Sequence, residues 1–492
     1  MLKNKIYIGG GLTSDQLLWV IPILHSYNKE KITKLVFENF TKKKISRSDL
    51  VKNILKKYTI FDHSSFLPFL LKNKYLRYIY VLISYFPAIL FFSVYVNRYN
   101  ILDKNRSWFR SQIFHSIWDT SLLMCDDKKI KPNFLIKLFA SFKCAHSYFL
   151  AKTLSKAGVS IAFMGHTVYN YRSMIAHFRN KNIQIISQAA YNLHKQKKEQ
   201  DFHWSQVSKL DFLKFKKKIS FNKVNHYFQN RLLGKGSYLD SINAALKNGE
   251  ILNGKYNVIF LHVFRDSPYN VIDRKRIFSD YYHWIEQTLL NIKYSDEKWL
   301  LRLHPSHKKW GENQIETVNS IIIKIFKGNL PKNILIEKNQ SSNLELFRKA
   351  KKIITFNGTV ELEAACFGLK PIVIASELIF RVDKSMVFKP KTKKSYYDLI
   401  NSKNPEKFTL NAKQINNAKL LLFLREEVFY LKKEFNGTEI YRNDSHFKKN
   451  KNFNNILNKI ETQKSYLNQL GIFLRNERIQ TVRKKYINFL HD

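Results

Sequence analysis

Short apolar runs alternate with longer amphipathic stretches along most of this chain, and that alternation predicts an α/β protein. KIYIGG (5–10) and KLVFEN (34–39) read as strands around a helical stretch at Ser14–His25. VSIAFMGH (159–166), a helix over Tyr171–Arg179 and the strand IQIISQ (183–188) resume the rhythm after a long interruption. Residues 195–250 are polar, helical in pattern and charged, as befits a connector. A second series begins at YNVIFLHVF (256–264). It continues with a helix over Ser279–Asn291, KWLLRLHP (298–305), a helix through 314–327, NILIE (333–337) and a helix over 343–350. Strands that are continuous apolar runs, separated by helices, belong to parallel sheets covered on both faces.

The segment KKIITFNGTVELEAACFGLKPIVIAS (351–376) compresses the pattern into strand, turn, short helix, turn and strand. Asn357-Gly358 supplies the turn because both residue types tolerate positive φ, and Thr359 stands where an N-cap is expected. Gly368 is placed to stop the helix at C′, and Pro371 opens the next strand. Glu363 lies one turn in, on the face of Thr359. An ordinary capped helix with a solvated Glu is the plain alternative to a ligand site. Two other loops follow strands of the same series, Arg265-Asp266-Ser267-Pro268 and Arg302-Leu303-His304-Pro305-Ser306. All three would lie at the carboxyl edge of one parallel sheet, where open α/β proteins bind ligands. A cation, an imidazole, a helix start and carboxylates meeting there suit a nucleotide phosphate: Thr359 and its helix end would take phosphate, Glu363 a ribose diol.

Residues 40–150 break the α/β rhythm. They are helical in pattern and rich in aromatic and basic residues, and Tyr78–Val96 (YIYVLISYFPAILFFSVYV) carries no charge over nineteen residues. That is near the length of a membrane span, yet Pro87 and the tyrosines make it more amphipathic than most spans. A buried helical hairpin, a monotopic membrane-surface element and a true span all fit the pattern. From about 401 to 492 the chain is helical in pattern and rich in Lys and Asn, without strands.

Composition narrows the classes. The 492 residues exceed one ordinary domain, and 45% hydrophobic content supports real cores. The formal net charge is +46, spread along the chain mostly as Lys. No nucleic-acid module or Arg-rich arm accompanies it, so no nucleic-acid partner is expected; anionic substrates and an anionic lipid surface fit better. Three cysteines without CxxC spacing argue for a reducing compartment and against a zinc site or disulfide framework. MLKNKIYIGGG has no apolar stretch of signal-peptide length.

FLHVFRDSP, YYHWIEQTL, RLHPS and FNGTVELEAACFGLKPIVI, with SIWDTSLL (116–123) and FMGHTVYNYRSMIAHFRNKNIQII (163–186), resemble the capsule polysaccharide biosynthesis family, which is related to bacterial Kdo transferases. The resemblance covers most of residues 100–380. It implies a GT-B fold of two Rossmann-like domains facing a cleft. Residues 1–235 would form the acceptor-side domain with its helical insertion at about 40–150, 236–400 the nucleotide-sugar domain, and 401–492 a helical extension.

The implied activity is glycosyl transfer to a saccharide or glycolipid acceptor in surface-polysaccharide synthesis, from a CMP-sugar by preference and without metal or cofactor. The implied location is cytoplasmic, peripheral on the inner face of the membrane. His304-Pro305 would match the family's donor-phosphate HP motif. Asn357-Gly358-Thr359 would replace its usual Ser-Gly-Thr, and Glu361 stands where glycine is usual. Arg265, Arg302, His304, Asn357, Gly358, Thr359 and Glu363 are thus the donor-binding candidates. Asp119 and His166 are the base or nucleophile candidates, with Asp266 and Asp15 behind them. No DxD pattern is present. An epimerase or polymer phosphotransferase on the same fold, or a non-catalytic assembly protein, is the alternative.

Overall fold

In the computed structural model, residues 4–9, 32–37, 74–96, 108–127, 131–189 apart from 166, 192–196, 207–232, 254–268, 277–308 apart from 306, 311–337, 343–375 and 378–425 are described. Asp15, His166 and the expected helix at Ser14–His25 lie outside them.

The apolar runs pair as two five-stranded sheets. The first comprises β1 (Asn4–Gly9), β2 (Ile32–Phe37), β3 (Ile161–Met164), β4 (Gln184–Ala189) and β5 (Asn192–Gln196) in the order β2-β1-β3-β4-β5. Its pairings are parallel except β4 with β5. The helical connector expected at 195–250 begins inside β5, whose last two residues are 195 and 196; the strand pairs antiparallel with β4, Ala189 opposite Asn192, and closes the sheet edge.

The second sheet comprises β6 (Tyr256–Phe260), β7 (Trp299–Arg302), β8 (Ile334–Glu337), β9 (Ala350–Thr355) and β10 (Ile372–Val373), ordered β10-β9-β6-β7-β8. All its pairings are parallel. Counted within the domain, that is the doubly wound order 3-2-1-4-5, which reverses direction between β6 and β9 and opens a crevice there.

The period-2 alternation of β6 and β9 explains why helices cover both faces. Ile259 and Ile354 join the core under α7 (Tyr281–Ile292), α8 (Gln314–Phe326) and α11 (Lys393–Ile400). Val258, Phe260 and Ile353 face α9 (Asn343–Lys349) and α10 (Val360–Cys366).

In the first domain the insertion between β2 and β3 supplies α1 (Lys74–Tyr95), α2 (Trp108–Leu123) and α3 (Phe134–Lys156). With α4 (Tyr171–Asn180) they pack Val81, Phe149, Leu150, Met174 and Phe178 on Tyr7, Ala162, Met164 and Ile185 of the sheet. The helices α5 (Lys209–Lys216) and α6 (Phe221–Leu232) precede the boundary expected at 235/236. Their Phe212, Val224, Tyr227 and Phe228 nevertheless pack with Leu362 and Ala365 of α10. Leu420–Phe423 of α12 (Ala412–Phe423) complete the same core. These helices bury their apolar faces on the second domain, whatever their place in the chain.

The carboxyl edges of the two sheets face each other, the GT-B-like arrangement. Tyr169, just beyond β3, donates its hydroxyl to Asp266, just beyond β6. At the end of α2, Asp127 accepts from Asn313 N at 2.9 Å and lies 3.4 Å from Arg265 Nε. A carboxylate of one domain thereby sits at the N-terminus of helix α8 of the other, where the helix dipole favours it.

Candidate active site

Three loops leave the second sheet at the reversal of strand order, as the sequence spacing predicts. Beyond β6 come His262 and Asp266; beyond β7, His304; beyond β9, Asn357-Gly358-Thr359. The His262 ring stacks on Tyr281 with centroids 4.7 Å apart and planes 6° from parallel. Its other neighbour is the His304 ring, 5.2 Å away. Nδ1 of His262 lies 3.8 Å from Asp266 Oδ2. Two imidazoles and a carboxylate therefore share one edge.

The second-sheet loops are tied from behind. Tyr281 donates its hydroxyl to Asn357 Oδ1 at 3.2 Å, and Asn357 Nδ2 donates to Pro268 O at 3.3 Å. Gln314 accepts from His304 N at 2.5 Å and donates to His262 O at 2.7 Å, joining the β6 and β7 loops. Glu312 accepts the backbone amides of Phe264 and Arg265 at 3.1 and 3.2 Å. Burial pushes the Glu312 carboxyl up to about 7, against the pull of those amides.

Burial decides the charge of the imidazoles. It holds His304 down at about 3, and the neighbouring His262, His307 and Arg302 add to the effect. Burial also lowers His262, with Asp266 opposing it. Both rings are neutral near pH 7, so each offers one N–H and one lone pair.

Several expected site residues are spent on structure. Arg302 is 1% exposed and donates to Glu337 at 2.9 Å. The two are register partners across β7 and β8, so the guanidinium points along the sheet rather than off its edge. Arg265 spans to Asp127, to Cys125 O at 3.2 Å and to Gly311 O, which makes it a strut between domains. Asp119 is 0% exposed, 3.2 Å from Arg172 Nη1, and accepts Ser267 Oγ at 2.6 Å. A carboxylate sealed in that way cannot reach an acceptor hydroxyl, so the candidate base Asp119 is corrected to an interdomain anchor. Asn357 is in place, but the hydrogen bonds of its amide turn it inward as a brace rather than toward a phosphate.

Other expected residues lie in the strand-end loops or on the short helix α10. Gly358 adopts φ +128°, a conformation L side chains rarely take, and no heavy atom among the described residues lies within 4 Å of where its Cβ would stand. The turn needs glycine for its backbone. Thr359 occupies the helix start but makes no capping bond with its side chain, contrary to the N-cap expectation. Its φ/ψ of −67°/−22° is already helical, which turns the hydroxyl away from the N3 amide. Glu363, half-buried, accepts from Asn343 Nδ2 at 3.2 Å. Asp266 keeps 38% of its side chain exposed while holding Tyr169 Oη and its neighbour Ser267 N.

His262, Tyr169, Tyr281 and Gln314 were absent from the sequence-derived set. His262 could have been found as an imidazole inside the apolar run FLHVF at a strand's carboxyl end. Tyr169 has a structural signature instead. It sits at φ +55°, an outlier for a bulky residue. That conformation costs on the order of 1–3 kcal/mol. Ser116 Oγ, donating to Tyr169 O at 2.5 Å, and the bond to Asp266 hold it. Burial first, and then Asp266, raise its phenol well above the ordinary value, so it remains a donor.

No family model matches the chain, and no curated protein matches it. Solved structures match it at low identity and low TM-score. A UDP-GlcNAc 2-epimerase from Methanocaldococcus jannaschii, in complex with UDP-GlcNAc and UDP, is 13% identical, with 86% of this chain and 99% of that chain covered and a TM-score of 0.27. The glycosyltransferase SnogD from Streptomyces nogalater is 9% identical over 87% and 96% of the two chains, at a TM-score of 0.25. A trehalose-6-phosphate synthase is 9% identical over 86% and 95%, at 0.27. The fold assignment rests on the strand orders and not on these likenesses.

Proposed function

We propose that the chain is a nucleotide-sugar-dependent glycosyltransferase of surface-polysaccharide or lipid-linked glycan synthesis, working in the cytoplasm. The observation that carries the reading is the meeting of the β6, β7 and β9 loops at the reversal of a 3-2-1-4-5 sheet. They bring together two neutral imidazoles, the open Gly358-Thr359 turn and the half-exposed Asp266. The family-like motifs RLHPS and FNGTVELEAACFG supply the same loops.

In this reading the donor's phosphate lies against the Gly358-Thr359 turn. The Thr359 hydroxyl and one N–H of His304 donate to it, and Glu363 faces the ribose. The acceptor hydroxyl enters from the first-domain side beside Tyr169. Its oxygen forms the new bond to the anomeric carbon as the bond from that carbon to the phosphate oxygen breaks. The proton passes to Asp266, and the electron pair leaves with the nucleotide. A neutral His304 suits this role, since it can donate without the desolvation cost of a buried cation. The resemblance favours a CMP-sugar as donor and a saccharide or glycolipid as acceptor.

A thermal-shift panel of CMP, UDP, GDP and their sugars on the full chain and on His304→Ala tests the donor. CMP species should stabilise the wild type and lose at least about tenfold in apparent affinity in the variant, in keeping with one lost hydrogen bond to a charged group. Stabilisation by UDP or GDP species alone overturns the CMP assignment. Stabilisation by none overturns the nucleotide site. Product analysis separates transfer from epimerisation: an epimerase releases an altered sugar with no acceptor present.

A further inference from the structure

We infer that α1 and the first half of α3 form a face that docks on an anionic lipid bilayer, lying on its surface rather than crossing it. The helix α1 has two unlike sides. Inward, Val81, Ile89 and Val96 are at most 4% exposed. Ser93 is fully buried; its Oγ donates to Ile89 O at 2.6 Å and meets Ser141 Oγ of α3 at 3.0 Å. At the other end, Tyr78 packs its ring on Phe142 and His146 of α3, with centroids 5.7 and 4.7 Å apart. The helix is thus tied side-on to the domain over its length.

Outward, Ile79, Ile83, Phe86 and Phe91 stand 54, 72, 51 and 52% exposed. Leu135 and Phe139 of α3 add side chains 70 and 50% exposed. Isolated exposed apolar residues are ordinary, but a contiguous run of large ones marks a contact surface. Among the described residues nothing covers it.

Charge selects the occupant. Neither helix contains an acidic residue. Lys143 lies 5.0 Å over the Phe139 ring and is exposed, as are Lys152 and Lys156 farther along α3 and Arg110 on α2. Apolar helix faces with a lysine at one edge, further cations on α3 and no carboxylate on either helix have the composition of an interfacial element on anionic headgroups. A second copy of the same face would set like charges against each other. A span would have to pull α1 away from Ser141, Phe142 and His146, and from the core that Val81 shares with Tyr7 and Met164.

The inference stands apart from the nucleotide reading, and vesicle flotation tests it separately. The full chain is floated with phosphatidylcholine vesicles, with and without phosphatidylglycerol. Ile83→Asp/Phe86→Asp is the test variant, and Tyr294→Asp, at an 85% exposed site in the other domain, is the control. The wild type and Tyr294→Asp should float with the anionic vesicles and be released by high salt. The double variant should lose roughly tenfold or more in partitioning while keeping the wild-type denaturation curve. Three results overturn the proposal: a wild type that ignores anionic vesicles, a double variant that floats like the wild type, or a self-associated wild type that the double variant converts to monomer. Resistance of the bound protein to alkaline carbonate extraction overturns surface docking in favour of a span.

Discussion

The polar residues of the domain junction and those of the crevice beside it are used in opposite ways. At the junction and within the second sheet, full charges are held in pairs: Asp119 with Arg172 and Arg302 with Glu337 are sealed, and Arg265 with Asp127 is part-buried. At the crevice edge the reactive groups are held neutral or half-exposed: His262, His304, Thr359 and Asp266. A buried charge is costly unless paired, and once paired it is committed to its partner. The groups proposed to meet a ligand stay out of such pairs. The residue type that suggests phosphate chemistry in a sequence, an arginine at or just beyond a strand's carboxyl end, is here a structural brace on both occasions.

The largest effect that sharpens this contrast should come from Arg302→Met. It leaves Glu337 buried without a counter-charge and should cost roughly 3–5 kcal/mol in chemical denaturation. Adding Glu337→Leu should restore most of that loss. A catalytic or donor-binding Arg302 would instead give a stable variant with impaired ligand binding. Asp119→Asn keeps an acceptor for Ser267 but strips the charge from Arg172, and should cost about 2 kcal/mol in the same measurement.

The imidazole predicts a pH dependence. His304 titrates at about 3 in the fold against an ordinary 6.5. Between those values the unfolded chain binds the proton and the folded chain does not. The stability linked to this group is therefore full above about 6.5 and lost as pH falls toward 3. His304→Gln should make the acid limb of the stability profile shallower and leave the neutral limb unchanged; an unaltered acid limb would refute the buried neutral ring. The smallest effect belongs to Thr359→Ala. A working N-cap would lose about 1 kcal/mol. With no capping bond to lose, this variant should stay within about 0.5 kcal/mol of wild type in denaturation. Its deficit should appear in nucleotide affinity.

Much of the second domain was legible because its signals are local. Strands such as VIF and WLL are apolar runs of the right length, Gly358 and Gly368 adopt the positive φ that their turns require, and each helix follows its own 3.6-residue period. Strand alternation with helices also carried the parallel sheet and hence the edge where the loops emerge. Local signals could not show which partner a charge would choose. Arg302 meets Glu337 thirty-five residues on, and Asp119 meets Ser267 one hundred and forty-eight residues on. Nor could they assign α5 and α6 to a domain, because their apolar faces fit either core until α12 is in place beside them.

The uncharged run at Tyr78–Val96 shows the division most clearly. Its composition alone determined a long apolar helix with flanking cations and left it open whether that helix is buried, monotopic or spanning. Tertiary packing decided that one side is locked to α3 and the sheet while the other stays exposed. Apolarity and periodicity are properties of neighbours in the chain, so the sequence by itself determined most of the described elements and the sheet edge where the three loops emerge. Burial, ion pairing and the protonation of His304 depend on groups brought together from distant positions, and only the fold could set them.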